Sequence, residues 1–111
     1  ILLMLAPMSS VNNFHGLGDF TMDQLGRLSR RSEKSVAPFS YMGISIINPA
    51  IFTDAPDGAF SLNWAYDHAI KSNRLYGVVH DGLWYHISTP TDLELARNRF
   101  INGHSPPVPF F

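Results

Sequence analysis

Histidine and carboxylate groups are the first residues to weigh for chemistry. His80, Asp81 and His86 surround the pair Asp81-Gly82, and Asp67-His68 stand side by side upstream. Such groups hold a divalent metal when three or four converge within about 2 to 2.5 Å of one ion. None of these spacings matches a metal motif such as H-E-x-x-H, so a surface or strand-edge setting is the plainer reading. The chain has no cysteine, which excludes thiolate nucleophiles, thiolate metal sites and disulfides. A serine hydrolase needs an elbow such as G-x-S-x-G. Gly43-Ile44-Ser45-Ile46 lacks the second glycine and reads as an ordinary strand. No P-loop or dinucleotide fingerprint occurs. Phe14-His15-Gly16-Leu17-Gly18-Asp19 offers only paired glycines, which serve as a backbone cradle for a ligand or as a tight turn. Arg27, Arg30 and Arg31 form a small basic patch, suited to a phosphate or to a solvated hairpin edge.

The elements that must position these groups fit one small domain. The chain has 111 residues, and its 45% hydrophobic content excludes a disordered polar polymer. Eight Lys plus Arg against nine Asp plus Glu leave a net charge of −1, with no basic surplus for nucleic acid. The apolar run at residues 1–6 is far short of the roughly 20 residues that span a bilayer, and no membrane partner is expected. That run ends at Pro7 and predicts a strand buried on both faces. Residues 20–22 and 27–31 flank a turn at Asp23-Gln24-Leu25-Gly26 and predict a hairpin. Residues 39–47 are β-branched and aromatic and predict a central strand. Gly43 within it marks a bulge, a close ligand approach, or packing against a bulky neighbour.

Pro49 opens a short helix to about Thr53, and Ser61 caps a helix over residues 62–72 with Leu62, Tyr66, Ala69 and Ile70 on its apolar side. Residues 74–80 and 83–88 predict a second hairpin across Asp81-Gly82. Thr89 or Thr91 caps the last helix, which Gly103 stops, and Glu94 lies at capping-box distance from Thr91. Residues 103–111 carry three prolines and read as an extended tail. The order predicts an α/β fold: a mixed sheet with two hairpins and flanking helices. The chain opens at Ile1 directly in a strand, which reads as a cut through a longer chain; a processed terminus or a disordered leader ahead of the given sequence is the other reading. A strand deprived of neighbours exposes an apolar edge, and pairing between copies is expected there.

Three segments, taken together, carry a resemblance. They are Gly16-Leu17-Gly18-Asp19-Phe20, then Tyr41-Met42-Gly43-Ile44-Ser45-Ile46-Ile47-Asn48-Pro49-Ala50-Ile51-Phe52 with Gly58-Ala59-Phe60-Ser61-Leu62, and finally Gly82-Leu83-Trp84-Tyr85-His86-Ile87-Ser88-Thr89-Pro90 after Gly77. In this order they resemble the C-terminal half of the bacterial sugar-1-phosphate nucleotidyltransferases, of the mannose-1-phosphate guanylyltransferase and N-acetylmuramate-1-phosphate uridylyltransferase types. The likeness covers residues 1–102. It implies the sugar-side part of a Rossmann-like domain whose nucleotide-binding half is absent. The implied reaction joins a sugar-1-phosphate to a nucleoside triphosphate, with Mg²⁺ neutralising charge and pyrophosphate leaving.

The resemblance places no catalytic residue in this chain, and the chain alone is expected to be inactive. It implies that Gly18 and Asp19 meet sugar hydroxyls, that the sugar lies over Gly43, and that Glu33 stands near a sugar-binding glutamate. The family pattern W-x-D-x-G-T sets a Mg²⁺-binding Asp at His86, where this chain reads Trp84-Tyr85-His86-Ile87-Ser88-Thr89. Imidazole suits Mg²⁺ less well than carboxylate. That departure favours a second reading, a non-catalytic sugar- or nucleotide-binding module of regulation or assembly. Under either reading the setting implied is the bacterial cytoplasm.

Overall fold

The computed structural model describes residues 1–12 and 16–103. Phe14 and His15 of the glycine turn and residues 104–111 of the proposed tail lie outside the described residues. The first strand, β1 (Leu2–Pro7), alternates strictly where it matters: Leu3 and Leu5 are fully buried, while Leu2 and Met4 face the other way. It runs antiparallel to β5 (Phe39–Ile46) and parallel to β6 (Tyr76–Val79). β3 (Phe20–Met22) and β4 (Leu28–Arg30) form the expected first hairpin, and β3 joins β5 through Phe20 and Phe39. The sheet order is β4-β3-β5-β1-β6, so the expected mixed α/β sheet is borne out.

β1 therefore has a partner on each side, which corrects the expectation of an unpaired apolar edge at this strand. The sheet's outer strands also meet at one end. Leu28 N–H donates to the Leu75 carbonyl at 2.8 Å, and Gly77 N–H to the Gly26 carbonyl at 2.9 Å. Gly77 makes this closure possible, because a Cβ there would press on the side chains of Leu5 and Leu28.

Helix α1 (Asn63–Lys71) lies on the Leu3/Leu5 side and buries Ala65, Tyr66 and Ala69. The Ser61 hydroxyl accepts from the Asn63 amide at 3.1 Å, as its cap position predicts. Leu3, Leu5, Phe20, Leu28, Tyr66, Ala69 and Leu75 make the core. The expectation that β1 is buried on both faces fails on the opposite side. There Leu2, Met4, Ile44, Ile46 and Val78 line a shallow apolar groove, because the core elements all pack on the α1 side.

The second hairpin does not form. A two-residue hairpin turn needs positive φ at one or both central residues, and neither Asp81 nor Gly82 has it. The chain leaves the sheet after Val79, with the His80 ring close against Gly82. β7 (Trp84–Tyr85) instead pairs in parallel with β2 (Val11–Asn12) as a separate two-stranded sheet. The last helix, α2 (Pro90–Ile101), is capped by Thr89, whose hydroxyl accepts from the Asp92 amide at 3.1 Å. Asp92 reaches back to the Ser88 amide and hydroxyl, both at 3.2 Å, so the reciprocal cap runs through Thr89 and Asp92 and not through Thr91 and Glu94.

Candidate functional site

The end of the sheet near β3 opens into a cleft of about 240 Å³, lined by Gly18, Asp19, Phe20, Arg30, Arg31, Tyr41, Asn63 and Tyr66. Four elements converge there, and the approach to β3 sets its floor. Gly18 is buried at φ +80°, and any side chain on it would run into the Ala37 carbonyl oxygen. Only glycine permits that approach. It brings the Asp19 amide to the Phe39 carbonyl at 2.7 Å, and the Asp19 carbonyl accepts from the Arg31 amide at 2.9 Å. The Asp19 carboxylate then accepts the Tyr41 amide through Oδ2 at 2.8 Å and remains exposed to solvent. It is held in place and open to a ligand hydroxyl, an arrangement suited to sugar recognition.

Phe20, Tyr41 and Tyr66 supply an aromatic wall. Tyr66 meets Phe20 and Tyr41 edge-to-face, with centroids 6.1 and 6.0 Å apart. Burial, reinforced by hydrogen bonding to Tyr41 and by its charge, pushes the Tyr66 phenol up to about 12. It is a neutral hydroxyl at any working pH. Asn63, in the first turn of α1, adds an amide.

The arginine patch read from the sequence divides. Arg27 turns away to Asp23, Nε to Oδ2 at 2.8 Å. Arg31 donates through Nη1 to the carbonyls of Ser32, Glu33 and Ser35 at 2.8 to 3.1 Å. Arg30 reaches across to Asp67 of α1 at 2.9 Å.

Of the residues expected from the sequence, Gly18 and Asp19 lie in the cleft and Gly43 and Glu33 do not line it. Gly43 sits at φ +87° in a bulge of β5, where residues 42–44 face Met4 alone between the pairs Leu3–Ser45 and Leu5–Tyr41. Among the described residues no atom would meet its Cβ within 4 Å, and none of them is a bulky neighbour that would require the glycine. Glu33 is exposed in the turn that Arg31 ties together. His86 lies just after β7, half-buried, its ring edge-on to Trp84 at 5.9 Å. Among the described residues no three of His, Asp and Glu gather to hold a metal ion. Tyr41, Asn63 and Tyr66 were not legible as site residues. Tyr66 reads from spacing only as part of an apolar helix face.

A mixed α/β sheet opening at one end into a polar, aromatic-walled cleft is consistent with part of a nucleotidyltransferase domain, and the resemblance to the sugar-1-phosphate nucleotidyltransferases is borne out. Over 90 residues the chain is 34% identical to N-acetylmuramate alpha-1-phosphate uridylyltransferase of Caulobacter vibrioides. The match takes in 81% of this chain but only 37% of that protein's length. No protein-family model matches the chain.

Proposed function

We propose that this chain is the sugar-side part of a sugar-1-phosphate nucleotidyltransferase, and that its cleft receives the sugar. The observation that carries the reading is the anchored, solvent-facing Asp19 carboxylate against the Tyr41–Tyr66 wall, in a chain similar to a uridylyltransferase. In the intact protein the sugar-1-phosphate oxygen attacks the α-phosphorus of a nucleoside triphosphate and pyrophosphate departs. Asp19 and Asn63 orient the sugar by its hydroxyls, and the aromatic wall takes the apolar face of the ring. N-acetylmuramate 1-phosphate and UTP are the first substrates to try, on the strength of the relative's name. The bacterial source of that relative and the intracellular supply of triphosphates support a bacterial cytoplasmic setting; among the described residues no helix is long and apolar enough to cross a membrane.

The test has two parts. This chain alone, mixed with sugar-1-phosphate, triphosphate and Mg²⁺, releases no pyrophosphate, whereas the longer protein does; turnover by the chain alone overturns the division of labour. Separately, Asp19→Ala weakens sugar-phosphate binding by about tenfold, the loss of one charged hydrogen bond. The rival reading, a non-catalytic sugar-binding module, is favoured by the Trp84-packed His86 at the family's Asp position. It predicts binding with no turnover even in the longer protein.

A further inference from the structure

The two cleft arginines are held very differently. Arg31 is built into the turn at residues 32–35, its Nη1 shared among three backbone carbonyls. Arg30 touches Asp67 with one nitrogen, Nη1, which meets Oδ1 at 3.0 Å and Oδ2 at 2.9 Å. Among the described residues its Nε and Nη2 make no hydrogen bond. This is not the two-nitrogen fork in which guanidinium grips carboxylate best. Both partners are open to water, with side chains 42% and 50% exposed, and a pair so placed is weak and screened by salt. Arg30 is thus a cation parked on a neighbour, with its best donor geometry unused and its side chain lining the cleft.

We propose that Arg30 is a specificity-determining residue: it exchanges Asp67 for a carboxylate substituent on the sugar, so that the cleft selects acidic sugar phosphates over neutral ones. The proposal rests on the reading of the cleft as a sugar-phosphate site. Charge placement sets the orientation. Asp19 repels a second anion and takes hydroxyls, so the acidic substituent points to the β4–α1 side where Arg30 stands. A neutral sugar offers Arg30 nothing better than Asp67 and leaves the pair closed. Arginine suits the role because its fork matches a carboxylate in two parallel bonds.

The experiment compares equilibrium binding of α-D-glucuronic acid 1-phosphate and α-D-glucose 1-phosphate to the full 111-residue chain, by calorimetry at low salt. The acidic sugar binds about tenfold more tightly, the gain of a charge-assisted contact. Arg30→Gln brings the ratio of the two affinities close to one, and Asp67→Asn, which frees Arg30, widens it. Thermal melts of both variants establish that they fold. A ratio near one in the unaltered chain, or a ratio that Arg30→Gln leaves intact, overturns the role of Arg30 while the cleft stands. Failure of both sugars to bind the unaltered chain overturns the cleft reading and this proposal with it.

Discussion

Arg30 on β4 and Asp67 on α1 are 37 residues apart in sequence and meet at 2.9 Å at the mouth of the cleft. The pair links the hairpin to the helix, yet it stands in water on both sides. A double-mutant cycle with Arg30→Gln and Asp67→Asn, read by urea unfolding, gives a coupling of about 0.2 to 1 kcal/mol that shrinks in high salt. A coupling of several kcal/mol, insensitive to salt, would show a structural lock and not an exchangeable contact.

The positive-φ glycines Gly18 and Gly43 separate backbone strain from steric room. Both sit near φ +80 to +90°, but a Cβ at Gly18 strikes the Ala37 carbonyl and one at Gly43 meets no atom of the described residues within 4 Å. Gly43→Ala costs about 1 to 2 kcal/mol, the strain of an L-residue in that region. Gly18→Ala adds displacement of main chain on top of that and costs about 3 kcal/mol or more. Equal losses in chemical denaturation would show that the main chain at Ala37 gives way freely.

The parts of the fold that were legible are those where local chemistry and long-range pairing agree. The apolar run of β1, the Asp23–Gly26 turn and the β-branched stretch of β5 each specify an element whose nearest partners suit it. Asp81-Gly82 carries a strong turn signal, but the strand after it pairs with Val11–Asn12, more than 70 residues earlier, and no local signal reports that. The site follows the same division. Gly18 and Asp19 stood out through the family resemblance, since by local chemistry alone the glycines read as a turn or a backbone cradle. Tyr66 did not, because a phenol on an apolar helix stripe looks like core, and here it is both core and cleft wall. Phe60, Trp64 and His68 are spaced by four along the chain, and the structure stacks Trp64 on His68 with centroids 4.9 Å apart.

Tyr66 also gives a spectroscopic handle. Its phenol, held up at about 12 by burial first and by Tyr41 second, ionises after ordinary tyrosines near 10. A raised value in the folded state means the folded chain holds that proton more firmly. The resulting stability is full below pH 10 and is lost as pH rises through 12. Ultraviolet titration of the chain shows a late tyrosinate phase, and Tyr66→Phe removes it. If the variant keeps the late phase, another tyrosine is the buried one.

Asp92 works in the opposite sense at the start of α2. The Ser88 amide holds its carboxyl below the usual carboxylate range, with further help from the Thr89 and Ser88 hydroxyls and against the opposing effect of burial. A depressed value in the folded state means that the unfolded chain takes up the proton first as pH falls. The stabilisation is therefore whole above the ordinary Asp range near pH 4 and disappears as pH falls through the lower folded value. Asp92→Asn keeps a side-chain oxygen to face Ser88 but removes the titrating charge. Melting temperatures taken from pH 6 down to pH 2 should fall more steeply for the unaltered chain than for the variant, and the two curves should approach each other at the acid end. Parallel curves would assign the acid sensitivity elsewhere, with Asp23 the next group to replace, since the Arg27 amide and guanidinium lower its carboxyl in the same direction.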